Sequence, residues 1–478
     1  MWILYVVLAL IAAFLIIIFT RAICFKPKAQ PVLDESKVEF SSEDAQNALR
    51  ELIKCKTVSY RDASLEDDSE FEKLISLLPR LYPGVFATCT LTRFEGRGLL
   101  FKWSGKKSDA PAVMMAHYDV VPALEEAWSV PAFDAIVKDG CIWGRGALDT
   151  KVTFNGILFS AETLIKDGFV PENDVYFAFS GGEEVNGVGA SKIVDYFEAN
   201  NISPAIVLDE GGAVVENVFP GVKQACGLIG IAEKGMMDVK YTVNSSGGHA
   251  SAPKPNAPID RLSAACQRML SNPFKAHLTE PVKQMFDTLG RYSSFVYKVI
   301  FSNIKIFLPV LDLICKKSGG ELNALMRTTV AFTQAQGSQA SNVIPPSASF
   351  VSNMRLNPAD NIEASLEYIK KTVNDKNVEV SLIHGMNPSR ISVTDCDGYA
   401  KLATAVASTW KGCIVSPYLM VQCSDSRHWG RISDKVYRFS AMDLTSEERA
   451  TIHGNDERIR LEALDKTIEF YLRLMKNC

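Results

Sequence analysis

Residues 112–122 read AVMMAHYDVVP, five apolar residues followed by His117, Tyr118 and Asp119. An unbroken apolar run of this kind is the pattern of a strand buried on both faces, as in a parallel sheet covered by helices. Comparable runs stand at GLLFKW (98–103), DVYFAFS (174–180) and AIVLDE (205–210), with helical segments VTFNGILFSAETLIKDG (152–168) and ASKIVDYFEAN (190–200) interspersed. Strand, helix, strand at this spacing predicts an α/β protein with a doubly wound, mostly parallel sheet. Such sheets carry their chemistry beyond the carboxyl ends of the strands, where His117, Glu183 and Asp209 fall.

Acids and histidines recur where the apolar runs stop. They are His117 and Asp119, Asp149 in GRGALDT, Glu183 and Glu184 in SGGEEVNG, Asp209 in VLDEGG and His453 in IHGNDE. Taken singly each is weak: H-x-D occurs in surface loops, Asp149 suits a helix N-cap, and two glutamates after glycines suit a solvated turn. Together they can hold two divalent metals and the water between them, the equipment for hydrolysing an amide. Two dications about 3.5–4 Å apart repel, so the site needs several carboxylates and a bridging anion to offset them. Asp149, Glu184 and Asp209 supply three negative charges, and His117 and His453 complete three protein ligands per metal if one carboxylate is shared. Glu183 is then free to move a proton. Spacing leaves open which of the two glutamates is ligand and which is base. In a strand residues two apart share a face, so Asp119 is placed to hold the second nitrogen of His117.

Composition narrows the partners. The 478 residues are 47% hydrophobic and 22% charged, enough for about two globular domains after an N-terminal extension. Lys plus Arg number 51 against 55 for Asp plus Glu, with no long basic run, which argues against nucleic acid and for small or peptide-like substrates. Eleven cysteines without a C-x-x-C pair argue against a zinc ribbon and a disulfide framework. Residues 2–20, WILYVVLALIAAFLIIIFT, carry no charge and at helical rise cover a hydrocarbon layer of roughly 30 Å. A single-pass anchor fits better than a cleaved signal, because no basic region precedes the run and no A-x-A site follows. Arg21, Lys26 and Lys28 after it place the large domain in the cytoplasm by the positive-inside rule.

Along the chain, 21–38 reads as a polar linker, and Ser41 with Asp44 as the N-cap of a helix opening DAQNALRELIKC. The catalytic domain is expected over 39–235 and again over 359–478, around an inserted smaller α/β domain at 236–358. Within the insertion, FVYKVIFSNIKIFLPVLDLICKK (295–317) is apolar but broken by Lys298, Asn303, Lys305, Pro309 and Asp312, so a buried or surface-lying helical hairpin is expected rather than a second span.

The ordered motifs HYD (117–119), GRGALDTK, GGEEVNG, LDEGG, SSGGHASAP, NVIPP and IHGNDE resemble those of the M20 metallopeptidases. The most similar branch is that of carboxypeptidase S and the N-fatty-acyl-amino-acid synthase/hydrolases, and the likeness runs from about residue 40 to the C-terminus. The resemblance implies two zinc ions, with cobalt or manganese as substitutes, one held by His117, Asp149 and Asp209 and the other by Asp149, Glu184 and His453. It implies Glu183 as general base, Asp119 as the residue tuning the metals, and His249 as a group polarising the scissile carbonyl, often across a dimer formed through the inserted lid domain. Arg355 is implied as a contact for a substrate carboxylate, with Asn323 and Arg427 as further lining candidates. Two departures stand out: Thr150 replaces a second acid found in many members, where the preceding peptide is expected cis, and the N-terminal anchor is absent from soluble relatives.

The expectation is therefore hydrolysis of an amide next to a free carboxylate, first as a carboxypeptidase on peptides and alternatively on N-acyl amino acids. A binding protein of the same fold without catalysis, and a single-metal hydrolase, are the rivals. Intact ligand and base positions count against both.

Overall fold

In the computed structural model, which describes residues 1–478, the four apolar runs lie in one eight-stranded sheet. The strand order is Thr90–Phe94, Gly98–Trp103, Asn173–Ser180, Lys107–His117, Ile206–Val215, Val436–Leu444, Cys226–Glu233 and Ile414–Met420. Lys107–His117 runs parallel to both of its neighbours, and Ile206–Val215 parallel to Val436–Leu444. The first two strands pair antiparallel, as does Cys226–Glu233 with its two inner neighbours, so the sheet is mixed around a parallel centre. The edge is antiparallel because Gly96 and Arg97, both at positive φ, turn the chain back at once, whereas parallel neighbours need a crossover.

Helix Lys151–Lys166 crosses behind the sheet and is buried along nearly its whole length. It meets the C-terminal helix Leu461–Lys476 at Gly156, where a Cβ would lie 2.7 Å from Thr467 Cγ2. Ser41 caps Ser42–Ile53 as its position predicts, accepting from the Asp44 amide.

The smaller domain has an antiparallel sheet in the order Thr329–Gln336, Ser347–Leu356, Gly235–Asn244, Glu379–Met386, backed by helices Pro258–Ser271 and Ile362–Val373. Its extent differs from the expected 236–358. Val380 pairs with Tyr241, and Ile369 and Val373 complete the small core, so the domain continues to about residue 386. Conversely, residues 280–326 pack on the large domain: Val282, Met285, Phe286 and Leu289 join its core beside the strand Ile414–Met420. Helix and strand alternate alike in both domains, and only long-range pairing tells them apart.

Residues 295–317 form two helices, Phe295–Ser302 and Ile304–Ser318. Helix Trp2–Cys24 is long and apolar enough to cross a membrane or to serve as a signal sequence. The segment expected as a linker is docked: Val415 N donates to Gln30 Oε1 at 2.9 Å, Asp34 N to Ser408 Oγ at 2.8 Å, and Arg473 Nη1 to the Asp34 carbonyl at 2.8 Å. All eleven cysteines are free.

Candidate active site

His117 is the last residue of the central strand Lys107–His117 and is 2% exposed. Its Nδ1 lies 3.0 Å from the Asp119 carbonyl and 3.5 Å from the Asp119 carboxylate, so backbone and side chain together orient the ring. Its Nε2 points the other way, 2.9 Å from Asp149 Oδ1 and 3.6 Å from Glu210 Oε1. Asp149 Oδ2 is 3.0 Å from His453 Nε2, which is 3.1 Å from Glu184 Oε2. One carboxylate thus faces a histidine with each of its oxygens.

Two buried acids hold the loops in place. Asp119 accepts from the amides of Glu183 and Glu184 at 3.1 and 3.2 Å, fixing the turn that presents both glutamates. Glu457, fully buried, accepts from the amides of Gly146, Leu148 and Asp149 and pairs with Arg145 Nη1 at 2.7 Å. The Asp149–Thr150 peptide is cis, as the family resemblance implies.

The donor set fits divalent cations. Ligand atoms of His117, Asp149 and Glu184, and of His117, Glu183 and Glu210, lie within 4.8 Å of one another in each group. Glu184 Oε1 is buried without a hydrogen-bond partner. Imidazole nitrogens with carboxylate oxygens are donors that zinc accepts. The electrostatics agree. Burial opposes protonation of His117, but Glu210, Asp119 and Asp149 outweigh it and hold the imidazolium well above its ordinary range. Hydrogen bonds to Asp149 and Glu184 push His453 up to about 10. Burial, then the Asp149 charge, pushes Glu210 up to about 8. Each group is seeking positive charge that the neighbouring acids demand.

Glu210, the residue after Asp209, stands in the group facing His117. Glu210 lies where the register of this strand against Val436–Leu444 breaks, between the pairs Asp209–Arg438 and Gly212–Phe439, and Asp209 accepts from the Ser426 amide at 2.9 Å. Arg427 stands beside Glu183, its Nη2 3.9 Å from Oε1 and its Nε 3.8 Å from Glu233. Arg355 Nη1 donates to Cys423 Sγ at 3.4 Å. Asn323 is turned away and accepts from Arg327 Nε at 2.8 Å. His249 is exposed on a two-stranded ribbon with Val343 and bonds Ser251 Oγ; it is not brought to the cluster. Sequence reading missed Glu210 and Glu457, although both lie within quoted motifs, Glu210 next to Asp209 and Glu457 four residues after His453.

A cavity of about 730 Å³ opens on the cluster. Asp149, Glu183, Glu184, Glu210 and His453 line it with Cys423, Leu228, Met420, Met442 and Ile452, and 13 of its 26 lining residues are apolar.

A mixed α/β fold whose central strands deliver converging acids and histidines to one cavity defines a metal-dependent hydrolase class. The model of peptidase family M20/M25/M40 matches residues 113–477, and the chain belongs to that family, as an M20-type hydrolase. It is 35% identical, over 90% of its length and 85% of the other's, to the N-fatty-acyl-amino acid synthase/hydrolase PM20D1 of Xenopus tropicalis. A probable carboxypeptidase S-like 2 of Dictyostelium discoideum is 33% identical over 88% of this chain and 82% of that protein. Among solved structures, an M20 family metallo-carboxypeptidase from Sulfolobus solfataricus shares the fold with TM-score 0.66 at 18% identity, covering 90% of this chain and 98% of that one.

Proposed function

We propose that this chain is a zinc-dependent amidohydrolase that cleaves an amide next to a free carboxylate, with N-acyl amino acids as the substrate class its cavity suits best. The apolar wall carries this choice: Leu228, Met420, Met442 and Ile452 give an acyl chain a surface beside the carboxylate cluster. This reverses the order in which the sequence ranks the two substrates. Carboxypeptidase action on peptides is the second reading, favoured by Gln422, Ser440 and Ser446 on the same wall.

His117, Asp149 and Glu210 would hold one cation, and Asp149, Glu184 and His453 would hold the other. Bound there, the two cations supply Lewis acidity to the carbonyl and acidity to water. Glu183 takes the proton from the attacking water and delivers it to the leaving amine. Burial raises its proton affinity well above the ordinary glutamate range, which suits a group that both accepts and gives a proton. Arg427 stands close enough to hold its carboxylate in place. Asp119 keeps the glutamate turn fixed, and Arg355 is assigned to the substrate carboxylate. His249 acts, in this reading, when a second copy presents it across a dimer formed through the smaller domain. The helix Trp2–Cys24 anchors the protein in a membrane, with the large domain on the cytoplasmic side.

The test is hydrolysis by the full-length protein of N-acyl amino acids of rising chain length and of free and C-terminally blocked dipeptides, with zinc and after chelation. Zinc-dependent turnover that grows with acyl length bears the reading out; cleavage of free dipeptides alone moves it to the carboxypeptidase. Protease protection in sealed vesicles tests the orientation.

A further inference from the structure

Helices Phe295–Ser302 and Ile304–Ser318 carry large apolar side chains that stay largely exposed. Ile306, Val310, Leu313 and Ile314 are 44%, 56%, 66% and 52% exposed. They recur at i, i+4, i+7 and i+8 and so form one stripe along the helix. The opposite side of the same helix is conventional, with Leu311 and Cys315 buried in the large core. Phe295, Val296 and Tyr297 extend the exposed apolar surface at the start of the preceding helix.

The position of this surface indicates what covers it. The ring of Phe295 stacks on Phe19 with centroids 6.2 Å apart, and Asn303 Nδ2 donates to the Ile18 carbonyl at 3.1 Å. At a rise of 1.5 Å per residue, Ile18 lies about 24 Å along the N-terminal helix from Trp2, near one edge of a hydrocarbon layer of about 30 Å. Phe295 is therefore at the level of the membrane boundary if that helix spans. The attachment is stiff, because Arg291 stacks over Phe25 and donates to the Lys26 carbonyl at 3.0 Å, Lys28 pairs with Asp287, and Gln30 and Asp34 are docked on the large domain. An anchored domain cannot swing the stripe away.

Charge points the same way. Lys305, Lys316 and Lys317 are exposed on the helix that bears the stripe. Its acid, Asp312, is neutralised by Arg327 and Lys316. Lysines beside an apolar stripe are what an anionic headgroup layer attracts, their stems lying along the apolar surface.

We infer that these two helices lie in the surface layer of the membrane beside the N-terminal span, and that lipid covers the stripe. The inference rests on the reading of Trp2–Cys24 as a span. It also sets where the cavity opens: Gly319 and Gly320 join the stripe helix directly to Gly320–Met326, whose Gly320, Glu321 and Ala324 line the cavity of the carboxylate cluster. A wall of the substrate cavity is thus continuous with a helix held against lipid.

The experiment places p-benzoylphenylalanine, one site at a time, at Leu313, Val296, Ile11, Leu124 and Leu382 of the full-length protein in phosphatidylcholine vesicles containing phosphatidylserine. After irradiation, adducts are identified by mass spectrometry. Leu124 and Leu382 are 67% and 40% exposed and lie outside both helices, so they report non-specific capture. Lipid adducts at Ile11, Leu313 and Val296 but not at Leu124 or Leu382 are expected. Adducts at Ile11 without any at Leu313 and Val296 overturn the inference and leave the anchor standing. Their absence at Ile11 as well overturns both. Chain-to-chain adducts at Leu313 in place of lipid overturn it in favour of an interface between two copies.

Discussion

Asp119 and Glu183 divide the work at the residue scale: one fixes the turn by accepting two amides, and the other presents a carboxylate to the cavity. Glu183→Gln keeps shape and removes the proton acceptor. It is expected to lower kcat by about 10²–10⁴, the range typical of a lost general base, while metal content measured by elemental analysis stays unchanged. Loss of metal instead would exchange the roles of Glu183 and Glu184. A second pair of variants separates Glu210 from its neighbour. Glu210→Gln is expected to reduce bound metal per chain, whereas Asp209→Asn, whose side chain faces the Ser426 amide, is expected to leave metal content unchanged.

At the scale of the element, the loop carrying Asp149 owes its shape to an acid near the other end of the chain. Glu457 accepts from the amides of Gly146, Leu148 and Asp149 and pairs with the Arg145 guanidinium in a fully buried place. Glu457→Ala leaves that guanidinium buried without its charge partner, and breaking a buried pair in this way costs about 3–5 kcal/mol. The expected outcome is a loss of that size in denaturant unfolding, together with weaker metal binding in a chelator competition. A loss within 1 kcal/mol, about the worth of an exposed pair, would mean that the loop keeps its shape by other contacts.

For the whole molecule, the join between the two domains contains a buried ammonium. Lys234, 1% exposed, donates to the carbonyls of Ala324 and Arg327 at 2.8 Å each. Burial, then the Arg355 charge, pulls it down from an ordinary 10.5 to about 7. Below pH 7 folded and unfolded chains both carry the charge, and the folded one bears the cost of burying it. Between about pH 7 and 10 only the unfolded chain keeps the proton, so unfolding takes one up and stability rises with pH. The Tm of the wild type relative to Lys234→Met should therefore climb from pH 7 to 9.5; a flat difference would mean that the lysine titrates normally. The dimer reading has its own test at this scale. Mixing Glu183→Gln with His249→Ala protein should restore activity beyond the sum of the two, since a mixed dimer pairs an intact Glu183 with an intact His249 from the other copy.

What the sequence alone determined is local: buried strands from unbroken apolar runs, their histidine and acid ends, the Ser41 cap, an apolar helix long enough to span a membrane, and a broken apolar stretch at 295–317 that folds as two helices. These follow from neighbours a few residues apart, which periodicity and composition record. Only the tertiary structure decided the rest. Glu210 faces His117 from a break in the strand register that only the pairing with Val436–Leu444 reveals, and that break is not written in LDE. Glu457 matters to Asp149 through a bond across 308 residues of sequence. Residues 362–386 pack with the smaller domain, as a helix and an edge strand, and 21–38 lie docked instead of free, because partners far along the chain offer hydrogen bonds and apolar surface there. Long-range contacts choose among segments that look alike locally, and no pattern within a segment reports that choice.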